Sequence, residues 1–117
     1  RNFFKPNKEK EHFDLLKEVK KAQNILEAAL QHNNIELKIT IGKVITAYGY
    51  PNEFSQVVFN LISNAKDVLI ERNIQNPKID IEIYQDDNNT YSIISDNAGG
   101  IEEKYIDKIL TEKADRK

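Results

Sequence analysis

The sequence predicts one mixed α/β domain, and three observations carry that reading. Two stretches, beginning near Asp14 and near Glu53, repeat apolar residues at three- and four-residue spacing, the period of a helix with one buried face. Between and after them lie short runs in which apolar and polar residues alternate, the period of a strand. A chain of 117 residues suits one domain, able to bury about two-thirds of its unfolded surface.

Residues 1–12 are polar and basic apart from Phe3 and Phe4, and Pro6 prevents a continuous helix there. They read as a tail or linker, with the domain proper over 13–117. From Asp14, a plausible N-cap, Leu15, Leu16, Val19, Ala22, Ile25, Leu26, Ala29 and Leu30 form the stripe of a first helix. Asn33-Asn34 is its expected stop. Ile35–Ile41 and Lys43–Tyr48 read as two short strands joined by a tight turn at Gly42. Gly49-Tyr50-Pro51-Asn52 breaks the second strand and opens a second helix, about Glu53 to Arg72. Ile79, Ile81 and Ile83 alternate with Asp80, Glu82 and Tyr84 in the cleanest strand. The turn cluster Asp86–Asn89 then leads into Tyr91–Ser95, completing a hairpin. Residues 102–113 read as a short helix with Ile106, Ile109 and Leu110 on one face.

Composition excludes several classes. Charged residues make up 31% and apolar ones 39%, ordinary for a soluble domain, and a net charge of −2 gives no electrostatic case for nucleic acid or an anionic membrane. The basic clusters at Lys5, Lys8, Lys10 and at Lys113, Arg116, Lys117 read as solvated termini. The absence of cysteine removes disulfides, thiol catalysis and Cys-based metal sites. His12 and His32 have no second ligand at helical spacing, which argues against a His-based metal site. No apolar run approaches the roughly 18 residues needed to span a bilayer. The chain reads as cytoplasmic, although a larger parent protein could be membrane-anchored.

Two features carry chemistry. On a wheel of the second helix, Phe54, Val57, Val58, Leu61, Ile62, Ala65, Val68 and Leu69 fill one arc. The opposite arc holds Glu53, Gln56, Asn60, Asn64, Asp67 and Glu71, with no Lys or Arg. Asn is a poor mid-helix residue, because its side chain competes for backbone hydrogen bonds. Two asparagines one turn apart are either part of a solvated face or a pair of amides aimed at a ligand. An amide oxygen is a hard donor suited to Mg²⁺. The second feature is Asp96-Asn97-Ala98-Gly99-Gly100, a carboxylate at a strand end followed by a loop in which glycine can take backbone angles closed to other residues. Asp96 is either a turn cap or a ligand contact.

Gln56–Leu69, with Asn60 and Asn64, resembles the asparagine box of bacterial sensor histidine kinases. Asp96-Asn97-Ala98-Gly99-Gly100-Ile101 resembles the first glycine box of their ATP-binding domain, and Ala47–Glu53 resembles the entry to the asparagine-box helix. The resemblance covers about residues 13–110. It implies the Bergerat fold, a two-layer α/β (α+β) sandwich in which a mixed sheet backs three helices. It also implies a site for ATP or ADP formed by Asn60, Asn64, Asp96, Ala98, Gly99, Gly100 and Ile101. Asn64 would ligate Mg²⁺ bridging the phosphates, Asn60 would line the pocket, and Asp96 would accept a hydrogen bond from the adenine amino group.

Related Bergerat ATPases carry a glutamate as general base one turn before the metal asparagine. Here that position is Asn60, which cannot take a proton. The resemblance therefore favours a kinase, which needs positioning and charge neutralisation, over a hydrolase or a related serine kinase. Lys66 points away from Asn64 on the wheel, and Asp67 stands where many members place a base, so neither is assigned to phosphate. Neither His12 nor His32 matches the family's phosphoacceptor motif. The acceptor is then expected on a dimerisation and phosphoacceptor domain of the same protein, with Arg1–Pro6 as its tail and a response regulator as the onward partner.

The sequence contains no counterpart of the family's lid, second glycine box or closing strands. Weak nucleotide binding, no phosphate transfer by this piece alone and self-association through an open sheet edge are the expectations. A non-catalytic α/β interaction module that keeps the fold without the ligand is the alternative from another class.

Overall fold

The computed structural model describes residues 4–6, 8–87 and 89–99 in full and residues 103–106 by their backbone. Two helices, α1 (Leu15–His32) and α2 (Pro51–Glu71), pack against each other and against one face of a mixed sheet. The sheet order is β2 (Glu36–Ile41), β4 (Lys78–Gln85), β5 (Thr90–Asp96), β6 (Glu103–Ile106). A separate antiparallel pair, β1 (Glu11–Asp14) with β3 (Thr46–Gly49), completes the two-layer α+β sandwich.

Both helices begin and end for identifiable reasons. Asp14 Oδ1 accepts the Leu16 N–H at 2.9 Å, satisfying a donor that the first turn cannot pair internally. Pro51 occupies the first turn of α2, where its missing N–H costs nothing. Each helix stops at an asparagine in the left-handed region, Asn34 (φ 57°) and Asn73 (φ 53°). The next residue then donates back across the last turn, Ile35 N–H to Leu30 O at 2.9 Å and Ile74 N–H to Leu69 O at 3.2 Å.

The core lies between the layers. Ile79, Ile81 and Ile83 of β4 and Ile94 of β5 are buried beneath Phe54, Val58, Ile62, Ala65 and Leu69 of α2, while Leu15, Val19, Ala22, Leu26 and Leu30 form the buried face of α1. The sheet's other face carries Lys38, Asp80, Glu82 and the stacked rings of Tyr84 and Tyr91, 4.7 Å apart.

Three expectations are corrected or amended. β2 and β3 do not form a hairpin at Gly42. β2 runs parallel to β4, with Ile39 opposite Ile81, and β3 pairs with β1. The parallel register sets Leu37, Ile39 and Ile41 on the same sheet face as Ile79, Ile81 and Ile83, which the helices cover. A local hairpin would instead have left β4 as an edge. Residues 103–106, expected within a helix over 102–113, form β6 and take up the outer edge of β5; the rest of that segment lies outside the described residues. The expected tail also packs onto the domain. Phe4 is buried, with its ring edge-on to Phe59 at 5.8 Å, and Glu11 and His12 belong to β1.

Candidate functional site

α2 divides into the faces that its sequence pattern implies. Phe54, Val58, Ile62, Ala65 and Leu69 are buried, while Glu53, Asn60, Asn64, Asp67 and Glu71 are exposed. Val57, Leu61 and Val68, on the flank of the buried arc nearest the asparagines, are only partly covered. Neither Asn60 nor Asn64 makes a side-chain hydrogen bond to the described residues, so both amides face outward uncommitted beside a partly apolar strip.

Asp96 ends β5 opposite Ile79 in the antiparallel register. Directly opposed residues share a face, so Asp96 lies on the helix-covered side of the sheet with Ile79 and Ile94. Its carboxylate is half-buried. Oδ1 accepts the Ala98 N–H at 2.9 Å, which is the turn-capping role open to it from sequence, and Oδ2 has no partner among the described residues. Turn cap and ligand acceptor are therefore compatible in one side chain.

The loop after Asp96 is held at several points. Asn97 accepts the Lys78 N–H through Oδ1 at 2.9 Å and donates through Nδ2 to Asn76 O at 3.0 Å, tying the loop to the start of β4. Ala98 is buried, and its carbonyl accepts a 3.0 Å hydrogen bond from Arg72 Nη1 at the C-cap of α2. Gly99 follows with φ +79°, in the left-handed region where a side chain would be strained. Gly100 and Ile101, the remaining predicted site residues, lie outside the described residues.

The structure thus places the Asp96–Gly99 loop against the C-terminal end of α2. Asn64 stands eight residues, about 12 Å along the helix axis, before Arg72. Asn97 belongs to the loop motif read from the sequence but has no role assigned to it there, and Arg72 is not singled out at all. Arg72 reads there as an ordinary cation at a helix end, and no spacing rule points to it.

The donor set limits what metal could be held. Among the described residues there is no group of three or more His, Cys, Asp or Glu side chains able to bind one. An exposed amide oxygen suits Mg²⁺ only when phosphate and water supply the other ligands. Lys66, left unassigned from sequence, pairs with Asp67 at 2.7 Å and has a largely covered side chain. A cavity of about 350 Å³ lies between Phe4–Pro6 and the first turns of α2, where Glu53, Gln56 and Val57 line it one turn before Asn60. No described helix is long and apolar enough to cross a membrane.

No protein-family model and no curated protein matches the sequence. Solved structures do. The catalytic domain of the histidine kinase ThkA, in a nucleotide-free form, superposes with a TM-score of 0.65 at 21% identity over 75% of this chain and 58% of its own. The mycobacterial sensor histidine kinase MprB gives 0.61 at 20% identity over 78% and 57%. The Acinetobacter baumannii histidine kinase AdeS gives 0.63 at 26% identity over 79% and 44%. The chain spans about half the length of these neighbours.

Proposed function

We propose that this chain, which has the fold of histidine kinase catalytic domains, is the ATP-binding part of a sensor histidine kinase. One observation carries the reading. Two outward amides with no hydrogen-bond partner among the described residues stand on α2, while a carboxylate with one oxygen unpaired among those residues lies on the helix-facing side of β5. In this reading Asp96 Oδ2 accepts the adenine amino group. A wrong base with a carbonyl there would face the carboxylate with its own lone pairs and be repelled. Asn64 contributes one oxygen to Mg²⁺, whose role is to neutralise charge on the phosphates. Asn60 lines the pocket, and Ala98 and Gly99 supply the loop that approaches the base.

Asn60 has no carboxylate with which to activate water, so the site favours presenting the γ-phosphate to another nucleophile over hydrolysing it. That nucleophile is proposed to be a histidine on a phosphoacceptor segment of the same protein, which then passes the phosphoryl group to a response regulator.

Calorimetric titration with ADP, with and without Mg²⁺, tests the reading. The wild-type chain should bind ADP more tightly when Mg²⁺ is present. Asn64→Ala should erase that metal dependence and keep the metal-free affinity. A chain that binds neither ADP nor ATP would be an interaction module built on the kinase fold.

A further inference from the structure

We infer that Arg72 is a positioning residue for adenine recognition, acting through Ala98 to fix Asp96. The inference rests on the nucleotide reading above and adds to it a residue outside both sequence boxes.

The ties from Asn97 bind the loop to its own sheet, at Lys78 and Asn76. Among the described residues, the hydrogen bond from Arg72 Nη1 to Ala98 O is the one that joins the loop to α2. Ala98 is gripped on both sides of the residue. Its carbonyl accepts from the guanidinium at 3.0 Å, and its N–H donates to Asp96 Oδ1 at 2.9 Å. A shift of Ala98 therefore turns the Asp96 carboxylate with it. Ala98 is 8% exposed, whereas the next residue, Gly99 at φ +79°, is exposed.

Arg72 is itself well placed to act as a fixed point. It is the C-cap of α2, and its N–H bonds to Val68 O at 2.9 Å. The negative end of the helix dipole favours a cation there. The same helix carries Asn64 two turns earlier. A nucleotide held by Asp96 at its base and by Asn64 at its phosphates would span the two layers, and Arg72 sets the distance between these anchors. Preorganised anchors lower the ordering cost of binding. A guanidinium can also address the carbonyl with one N–H while others remain for water, whereas a lysine ammonium supplies a single mobile point of contact.

The test is calorimetric titration of the full chain with Mg-ADP and with Mg-GDP, using wild type, Arg72→Met and Arg72→Lys, below the melting point of each. Arg72→Met should weaken ADP binding about tenfold, the size of one hydrogen bond from a charged group. It should leave GDP binding nearly unchanged, so the ADP-to-GDP preference falls. Arg72→Lys should lie between the two. A merely structural arginine would lower the unliganded melting temperature without moving that preference, and an unchanged preference in Arg72→Met overturns the inference. If Arg72→Met does not fold, an unchanged preference in Arg72→Lys overturns it equally. Failure of the wild-type chain to bind ADP would instead sink the nucleotide reading, and this inference with it.

Discussion

Replacing Asn60 and Asn64 together by alanine should make the protein more stable. Both side chains are exposed in the interior of α2, and neither has a hydrogen-bond partner among the described residues, so truncation removes no visible interaction. Alanine is the better helix former by about 0.5 kcal/mol per position, because asparagine competes for backbone hydrogen bonds. The pair should therefore gain about 1 kcal/mol, a rise of roughly 3–6 °C in Tm for a domain of this size. Ile62→Ala, on the opposite face of the same helix and 0% exposed, is the calibrating variant. It should lose about 2–5 kcal/mol through lost transfer energy and an unfilled cavity. Urea and thermal unfolding followed by far-UV circular dichroism give all three values. A double variant less stable than wild type would refute the reasoning, since the amides would then be holding structure. A stabilising result marks two positions where the natural residues are unfavourable for the fold, as expected where function sets the residue.

Ser55→Ala should cost about 1.5–3 kcal/mol in urea unfolding, because Ser55 Oγ donates at 2.8 Å to the buried Glu18 carboxylate, whose Oε1 also pairs with Lys21. An unchanged urea midpoint would show that water replaces the hydroxyl. Phe4→Ala should lower stability by about 3–5 kcal/mol, since the ring is 6% exposed and packs on Phe59. No change in Tm would mean that residues 4–6 open independently of the domain. A double-mutant cycle on Tyr84 and Tyr91 should give a coupling of about 0.5–1.5 kcal/mol from their stacked rings. Zero coupling would show that the pair adds only area.

The elements legible in the sequence are those whose signals are local. The periodicity of α1 and α2, the Asp14 cap, the asparagine stop at 33–34 and the β4–β5 hairpin all depend on residues within a few positions of one another. Pairing partners far apart were not legible. The partner of β2 begins at Lys78, beyond the whole of α2, and a glycine at position 42 looks the same whether it joins two paired strands or separates two sheets. β1 carries one buried apolar residue, Phe13, too little to show an alternation. The site divides similarly. Asn60, Asn64 and Asp96 stand out because their residue types are unusual for their positions. Arg72 does not, because its function comes from a carbonyl 26 residues away that only folding brings near.

The central claim is that Asp96 reads an adenine. Thermal melting of the chain with and without Mg-ADP, beside Asp96→Asn, tests it most directly. Ligand at a hundred times its dissociation constant should stabilise the wild-type protein by about 2.7 kcal/mol. The asparagine variant keeps the side chain's size and an oxygen for the Ala98 N–H, but its amide can set N–H donors against the adenine amino hydrogens. A rise in Tm for wild type that disappears in Asp96→Asn is the predicted result. An equal rise in both proteins would contradict the adenine role of Asp96, and no rise in either would contradict the nucleotide site itself.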